Sequence, residues 1–149
     1  MSHEQHRLIA RRYLTDVLSV VDIDAADELL APDVVCILPD ATRVEGAAAL
    51  KAMKREVGGA FPHRDISIDF EVADEGGAAV VYSLRMKHVG DYKGLPASGR
   101  EIVITGVDTF RISDGRVTEI RVFYNPELVA AQLAGPPAAA PAGAAGATG

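Results

Sequence analysis

The sequence predicts an α+β domain, with helices gathered near the N-terminus and packed on one face of a curved antiparallel sheet. Three observations carry this. Apolar residues recur at helical spacing between His6 and about Val20. Two later stretches, 78–88 and 100–112, alternate apolar and polar residues with the period of a strand. Between the second of these and a further strand-like run stands Asp114-Gly115, a pair that tolerates the positive φ of a tight hairpin turn.

The first helix places Leu8, Ile9, Tyr13, Val17 and Val20 on one face and Arg7, Arg11, Arg12 and Asp16 on the other. A second helix is expected over Ala25–Leu30, with Asp22 as its cap and Pro32 as its stop. Val34-Val35-Cys36-Ile37-Leu38 reads as a short buried strand, ended by Pro39-Asp40. A third helix opens at Glu45-Gly46, carries Ala47, Leu50, Met53 and Val57 inward, and breaks at Gly58-Gly59. Phe61-Pro62-His63-Arg64-Asp65 reads as a turn.

In the strands that follow, Ile66, Ile68 and Phe70 alternate with Ser67, Asp69 and Glu71. Val80, Tyr82, Leu84, Met86 and His88 face one way; Ser83, Arg85 and Lys87 face the other. Residues 90–99 form a loop. Ile102, Ile104, Gly106, Asp108, Phe110 and Ile112 share a face, then Val117 to Tyr124 returns along the hairpin. Asp108 is the one carboxylate on that apolar face, so the hairpin carries it into the interior. Glu127 to Leu133 allows one or two helical turns after Asn125-Pro126. The domain is expected to span 1–133. Residues 134–149 are Ala, Gly, Pro and Thr only, too poor in apolar surface to order, and are expected to be a disordered tail.

With 149 residues, the chain can bury one core without disulfides or metal staples. A net charge of -6 argues against nucleic acid and against an anionic membrane surface as partner. The polar start of the chain does not read as a secretory signal, no apolar run reaches spanning length, and Cys36 stands alone, so a cytoplasmic protein is expected. The four histidines lack paired spacing and form no metal site; His3 and His6 are read as part of a frayed terminus and His63 as exposed in its turn. Cys36 is read as a small buried hydrophobe.

Several segments, taken together, resemble the SnoaL-like polyketide cyclase family of the nuclear transport factor 2-like superfamily. They are Arg85, His88 and Gly90; Gly94-Leu95-Pro96-Ala97-Ser98-Gly99-Arg100; Gly106-Val107-Asp108-Thr109-Phe110-Arg111; and Asp114-Gly115-Arg116-Val117. Tyr13, the stretch Leu29 to Val35 and Phe61-Pro62 also fit, so the resemblance runs from about Arg7 to Leu133. It implies a cone: a strongly bent sheet wrapped over the N-terminal helices, with a deep apolar pocket at one end and dimers formed through the outer sheet face. It also implies ring closure of a polyketide by intramolecular aldol chemistry, with one aspartate as acid/base and neither metal nor organic cofactor. Asp108 stands where that aspartate is expected, and His88 matches the histidine of the preceding strand.

The chain also departs from the pattern. Glu119-Ile120-Arg121 replaces a frequent His-Trp pair, and Ile37 stands where members often carry a histidine. The last strand, Arg121-Val122-Phe123-Tyr124, is similar to that of limonene epoxide hydrolase. The Asp-Arg-Asp set of that enzyme falls on Lys87, Arg85 and Val122.

The candidate site is therefore Asp108 as acid/base, His88 as helper and Tyr13 as positioning group, with Leu38, Phe61, Met86, Tyr92, Phe110 and Tyr124 lining a pocket. A carboxylate desolvated in such a pocket becomes a stronger base. The structural alternative is a buried Asp108 hydrogen-bonded to Tyr13 or to a backbone amide. For the chain as a whole, the alternatives are a non-catalytic module that binds a small molecule, or an epoxide hydrolase or other ring-opening enzyme.

Overall fold

In chain order, the computed structural model, which describes residues 2–62 and 64–135, has α1 (His3–Arg12), a π-helical turn (Tyr13–Leu18), a 3₁₀ turn (Ile23–Ala25), α2 (Ala26–Leu29), β1 (Leu30–Ile37) and β2 (Arg43–Glu45). There follow α3 (Ala47–Ala60), β3 (Arg64–Asp74), β4 (Gly77–Lys87), β5 (Glu101–Ser113), β6 (Arg116–Phe123) and α4 (Pro126–Ala134). The expected tail lies outside the described residues from position 136 onward, as does His63. No helix among the described residues is long and apolar enough to cross a membrane.

The six strands form one curved sheet in the order β2-β1-β6-β5-β4-β3. Strands β3 to β6 are an antiparallel meander, but β1 lies parallel to β6, so the sheet is mixed where uniform antiparallel pairing was expected. Helix α1 packs on β3 and β4, and α3 on β1. The face they cover carries the core: Val80, Tyr82, Leu84 and Met86 from β4, Ile102, Phe110 and Ile112 from β5, and Val117, Ile120 and Val122 from β6 are all buried. Asp114 and Gly115 turn the β5–β6 hairpin at φ of 53° and 78°, the positive values a two-residue turn of this hand requires.

Several expected boundaries move, each for a local reason. Strand β1 starts at Leu30 and includes Pro32, tolerated because the pairing to β6 is irregular between Leu30 and Val35. Strand β2 was not expected at all. Helix α3 continues through Gly58 and Gly59 to Ala60. Strand β3 starts at Arg64, inside the expected turn, and its register shifts between Ile68 and Phe70. That bulge rotates the strand by one residue, so Phe70 leaves the face of Ile66 and Ile68 and stands 61% exposed outside.

The first helix is also rotated from the expected face. Leu8 is exposed, while His6 is buried and its Nδ1 lies 2.8 Å from the Asp74 carbonyl. The terminus is not frayed there. Ser2 and Gln5 cap α1 reciprocally, at 3.1 and 3.0 Å, and Arg7 and Arg11 both pair with Glu71 on β3. Beyond Arg12 the helix widens into the π turn, which buries Tyr13, Leu14, Val17 and Leu18 together.

Candidate active site

A cavity of about 270 Å³ lies between α3 and the covered face of the sheet. Its walls are mostly apolar: Leu18, Leu38, Met53, Val57, Phe61, Leu84, Met86, Ile102, Ile104, Val122 and Val129. Exposed Glu56, Asp91 and Lys93 stand at its mouth, with the half-buried Tyr92 beside them. Inside it are Lys54, Arg64, Tyr82 and Asp108. A larger open groove of about 480 Å³ crosses the β3–β4 hairpin end, lined by Thr109, Arg111, Glu119 and Arg121 among others. Among the described residues it holds no buried titratable group, whereas the smaller cavity holds several.

Asp108 is 1% exposed and closes one end of that cavity. On β5 the lining stops with it, since the next inward residue, Phe110, packs edge-on against Tyr13 at 5.4 Å in the solid core. The Tyr82 hydroxyl donates to Asp108 Oδ1 at 3.1 Å. Tyr82 sits opposite Gly106, and a Cβ at Gly106 would stand 3.1 Å from that hydroxyl and 2.9 Å from the Phe123 carbonyl oxygen. The glycine thus leaves the space through which the tyrosine reaches Asp108. The strand neighbours directly opposite Asp108 are Val80 and Val122.

Burial pushes the Asp108 carboxyl up to about 6, against the opposing pull of the Lys54 charge and the Tyr82 hydrogen bond. Burial likewise holds Tyr13 and Tyr82 well above the usual phenol range, with the Asp108 charge adding to both. The Cys36 thiol, buried as expected, is pushed up to about 11, again by burial first. Lys54 and Arg64 are both pushed down, chiefly by burial, Arg64 to about 10.

Of the expected site residues, Leu38, Phe61, Met86, Tyr92 and Tyr124 line the cavity together with Asp108. Three other expected site residues do not. Phe110 lies past the closed end, in the core. Tyr13 lies beside it, and the hydrogen bond considered for Tyr13 is made to Asp108 by Tyr82 instead. His88 sits at the far end of the sheet. Asp108 pairs with Val80, and the eight positions from Val80 to His88 span about 25 Å of extended chain. There the imidazole stacks on Phe61 at 5.3 Å and its Nδ1 lies 2.9 Å from the Ser98 Oγ. Phe61 also meets Tyr92 edge-on at 5.3 Å, so His88 belongs to the aromatic cluster that holds the mouth loop.

Sequence reasoning missed Lys54, Arg64 and the pairing role of Tyr82. Lys54 follows Leu50 by four residues and Met53 by one, which puts it on the inward stripe of α3. Gly106 in the middle of a strand was the signal for a close approach by Tyr82. Arg64 left no such signal, because its strand began in what read as a turn.

The profile of the SnoaL-like domain family matches residues 10–120. The chain belongs to the SnoaL-like family. Solved structures at low identity share the fold. A candidate SnoaL-like polyketide cyclase from Jannaschia sp. CCS1 superposes with a TM-score of 0.84 at 23% identity, covering 91% of this chain and 95% of its own. A candidate hydroxylase from Streptomyces galilaeus gives 0.78 at 19%, covering 89% and 83%. An epoxide hydrolase of the LEH-like type from M. tuberculosis gives 0.71 at 17%, covering 89% and 92%. No curated protein matches the chain. Neighbours with such different chemistry on one SnoaL-like fold leave the reaction to be argued from the cavity.

Proposed function

We propose that this protein is a cyclase or isomerase that works without a cofactor on a polyketide-like, largely apolar ketone, with Asp108 as its acid/base, in natural-product biosynthesis. The observation that carries the reading is a buried carboxyl group, raised to about 6, at the closed end of an apolar cavity. Above that pH Asp108 is ionised and takes a proton from the carbon next to a carbonyl. The enolate carbon then forms a bond to a second carbonyl carbon of the same folded molecule, and the resulting alkoxide takes the proton back from Asp108. No electrons are exchanged with a partner, and the product is an isomer of the substrate. The Tyr82 hydroxyl steadies the carboxylate, and the cavity supplies the proximity of the two reacting ends.

The first half of this reaction is measurable without knowing the natural substrate. An aromatic methyl ketone bound in heavy water should exchange its α-hydrogens for deuterium, followed by NMR. Asp108→Asn should lower the catalysed exchange by about 10²- to 10⁴-fold. Exchange that continues unchanged in that variant would refute the acid/base role, and binding of the ketone by both proteins with no exchange in either would leave a module that only binds, a reading favoured by the hydrogen bond that already engages Asp108. The epoxide hydrolase reading finds less support, since Val80 and Val122 stand where a second carboxylate could join Asp108.

Further parts of the proposal are a cytoplasmic location and a homodimer formed through the outer sheet face. Phe70, Val81, Val107 and Phe123 lie in one row across β3, β4, β5 and β6, and Phe70 and Phe123 are 61% and 53% exposed. Such a row is an apolar stripe suited to a second copy.

A further inference from the structure

Two of the three charged groups inside the cavity are cations, and neither makes an ion pair among the described residues; Lys54 feels the Asp108 charge only at longer range. Lys54 is 8% exposed, and no carboxylate lies within ion-pair distance of it or of Arg64 among the described residues. Arg64 also buries its Nε and Nη1 without a hydrogen-bond acceptor among the described residues. The one interior carboxylate, Asp108, is bonded to Tyr82. Glu56 and Asp91 stand at the exposed mouth, where solvent screens them. Around Arg64 are the rings of Tyr82, Tyr92 and Tyr124, none of which offers a carboxylate. Two desolvated cations facing a single carboxylate are under-compensated, which is costly, and a purely neutral ligand would bury them further.

We infer that the ligand is an organic acid: an apolar body bearing a carboxylate that sits between Lys54 and Arg64. The body of such a ligand would lie along Leu84, Met86 and Ile104, which leaves its reacting carbon free to reach Asp108 at the closed end. Arginine suits the role because its planar fork matches a carboxylate, and it stays charged at neutral pH even when pushed down to about 10. This inference rests on the cavity being the small-molecule site proposed above, and it narrows the ketone to a keto acid.

The test compares two probes of one shape, naphthoate and acetylnaphthalene, titrated into the full chain at neutral pH and followed by protein NMR. The wild-type protein should bind naphthoate about tenfold to a hundredfold more tightly, as a charge-assisted pair predicts. Lys54→Met and Arg64→Met should each shrink that preference, and Arg64→Lys should keep part of it, with thermal melts confirming that the variants fold. Equal binding of both probes to the wild type overturns the inference and leaves the role of Asp108 untouched. A preference that survives in both methionine variants overturns it too. If neither probe binds, the small-molecule site falls, and this inference with it.

Discussion

The two ends of the cavity are built on the same pair of strands and do different physical work. At the closed end, Asp108 and its hydrogen-bond partner Tyr82 are polar groups sealed into an apolar core, and the burial of Asp108 is what makes its carboxyl basic. At the mouth, His88, Phe61 and Tyr92 form a stacked cluster, and His88 further holds the chain through Ser98 and through backbone bonds to Gly99 and Arg100. Asp108 and His88 were expected in one site because both face inward and both fit the family resemblance. The strand register separates them. Facing the same way along a strand is therefore not the same as sharing a site.

The sharpest way to break this comparison is kinetic. Asp108→Asn should cost about 10² to 10⁴ in catalysed α-proton exchange, whereas His88→Ala should leave the rate at saturation intact. Wild-type exchange should also fall as pH drops below about 6, where Asp108 takes up its proton, and His88→Ala should keep that limb in place. An equal loss in the two variants would erase the distinction between the two ends.

A second contrast lies in stability. Because the folded Asp108 has a raised pKa, the native state binds a proton more readily than the unfolded chain. Its burial costs nothing below the unfolded value near 3.8, a growing amount between there and about 6, and a constant amount above. Asp108→Asn should thus stabilise the protein at neutral pH by about 3 kcal/mol and leave it unchanged at strongly acid pH, as read by denaturant unfolding.

Gly106→Ala should cost about 2 kcal/mol, because its Cβ meets the Phe123 carbonyl and the Tyr82 hydroxyl at close range. The same change should weaken the hydrogen bond to Asp108 and move the pH limb upward, since that bond holds the carboxyl down. The smallest effect is expected from His88→Ala on binding: loss of its contact to Ser98, worth about 1 kcal/mol, should loosen the mouth loop and raise KM a few-fold.

Much of this was legible in the residues before any coordinates. Strict alternation over β4 and β5 placed Asp108 inward, and Asp114-Gly115 set the hairpin that holds it. Periodicity failed where the period itself changed. The bulge near Asp69 turned Phe70 outward, and the π turn together with the buried His6 rotated the face of α1 away from Leu8. Lys54 and Arg64 were missed for another reason. A long cationic side chain normally extends to solvent, so the inward spacing of Lys54 on α3 was outweighed by its charge, and Arg64 sat in what read as a turn. Tyr13 and Phe110 were on the right face but beyond the point where the cavity closes, a depth that alternation does not encode.

Titration of the Asp108 carboxyl carbon by NMR, assigned by its absence in Asp108→Asn, is the most direct test of a basic carboxyl at the closed end. A midpoint near 6 is expected from its burial at the closed end. A midpoint near that of an ordinary solvated aspartate, about 3.9, would contradict it.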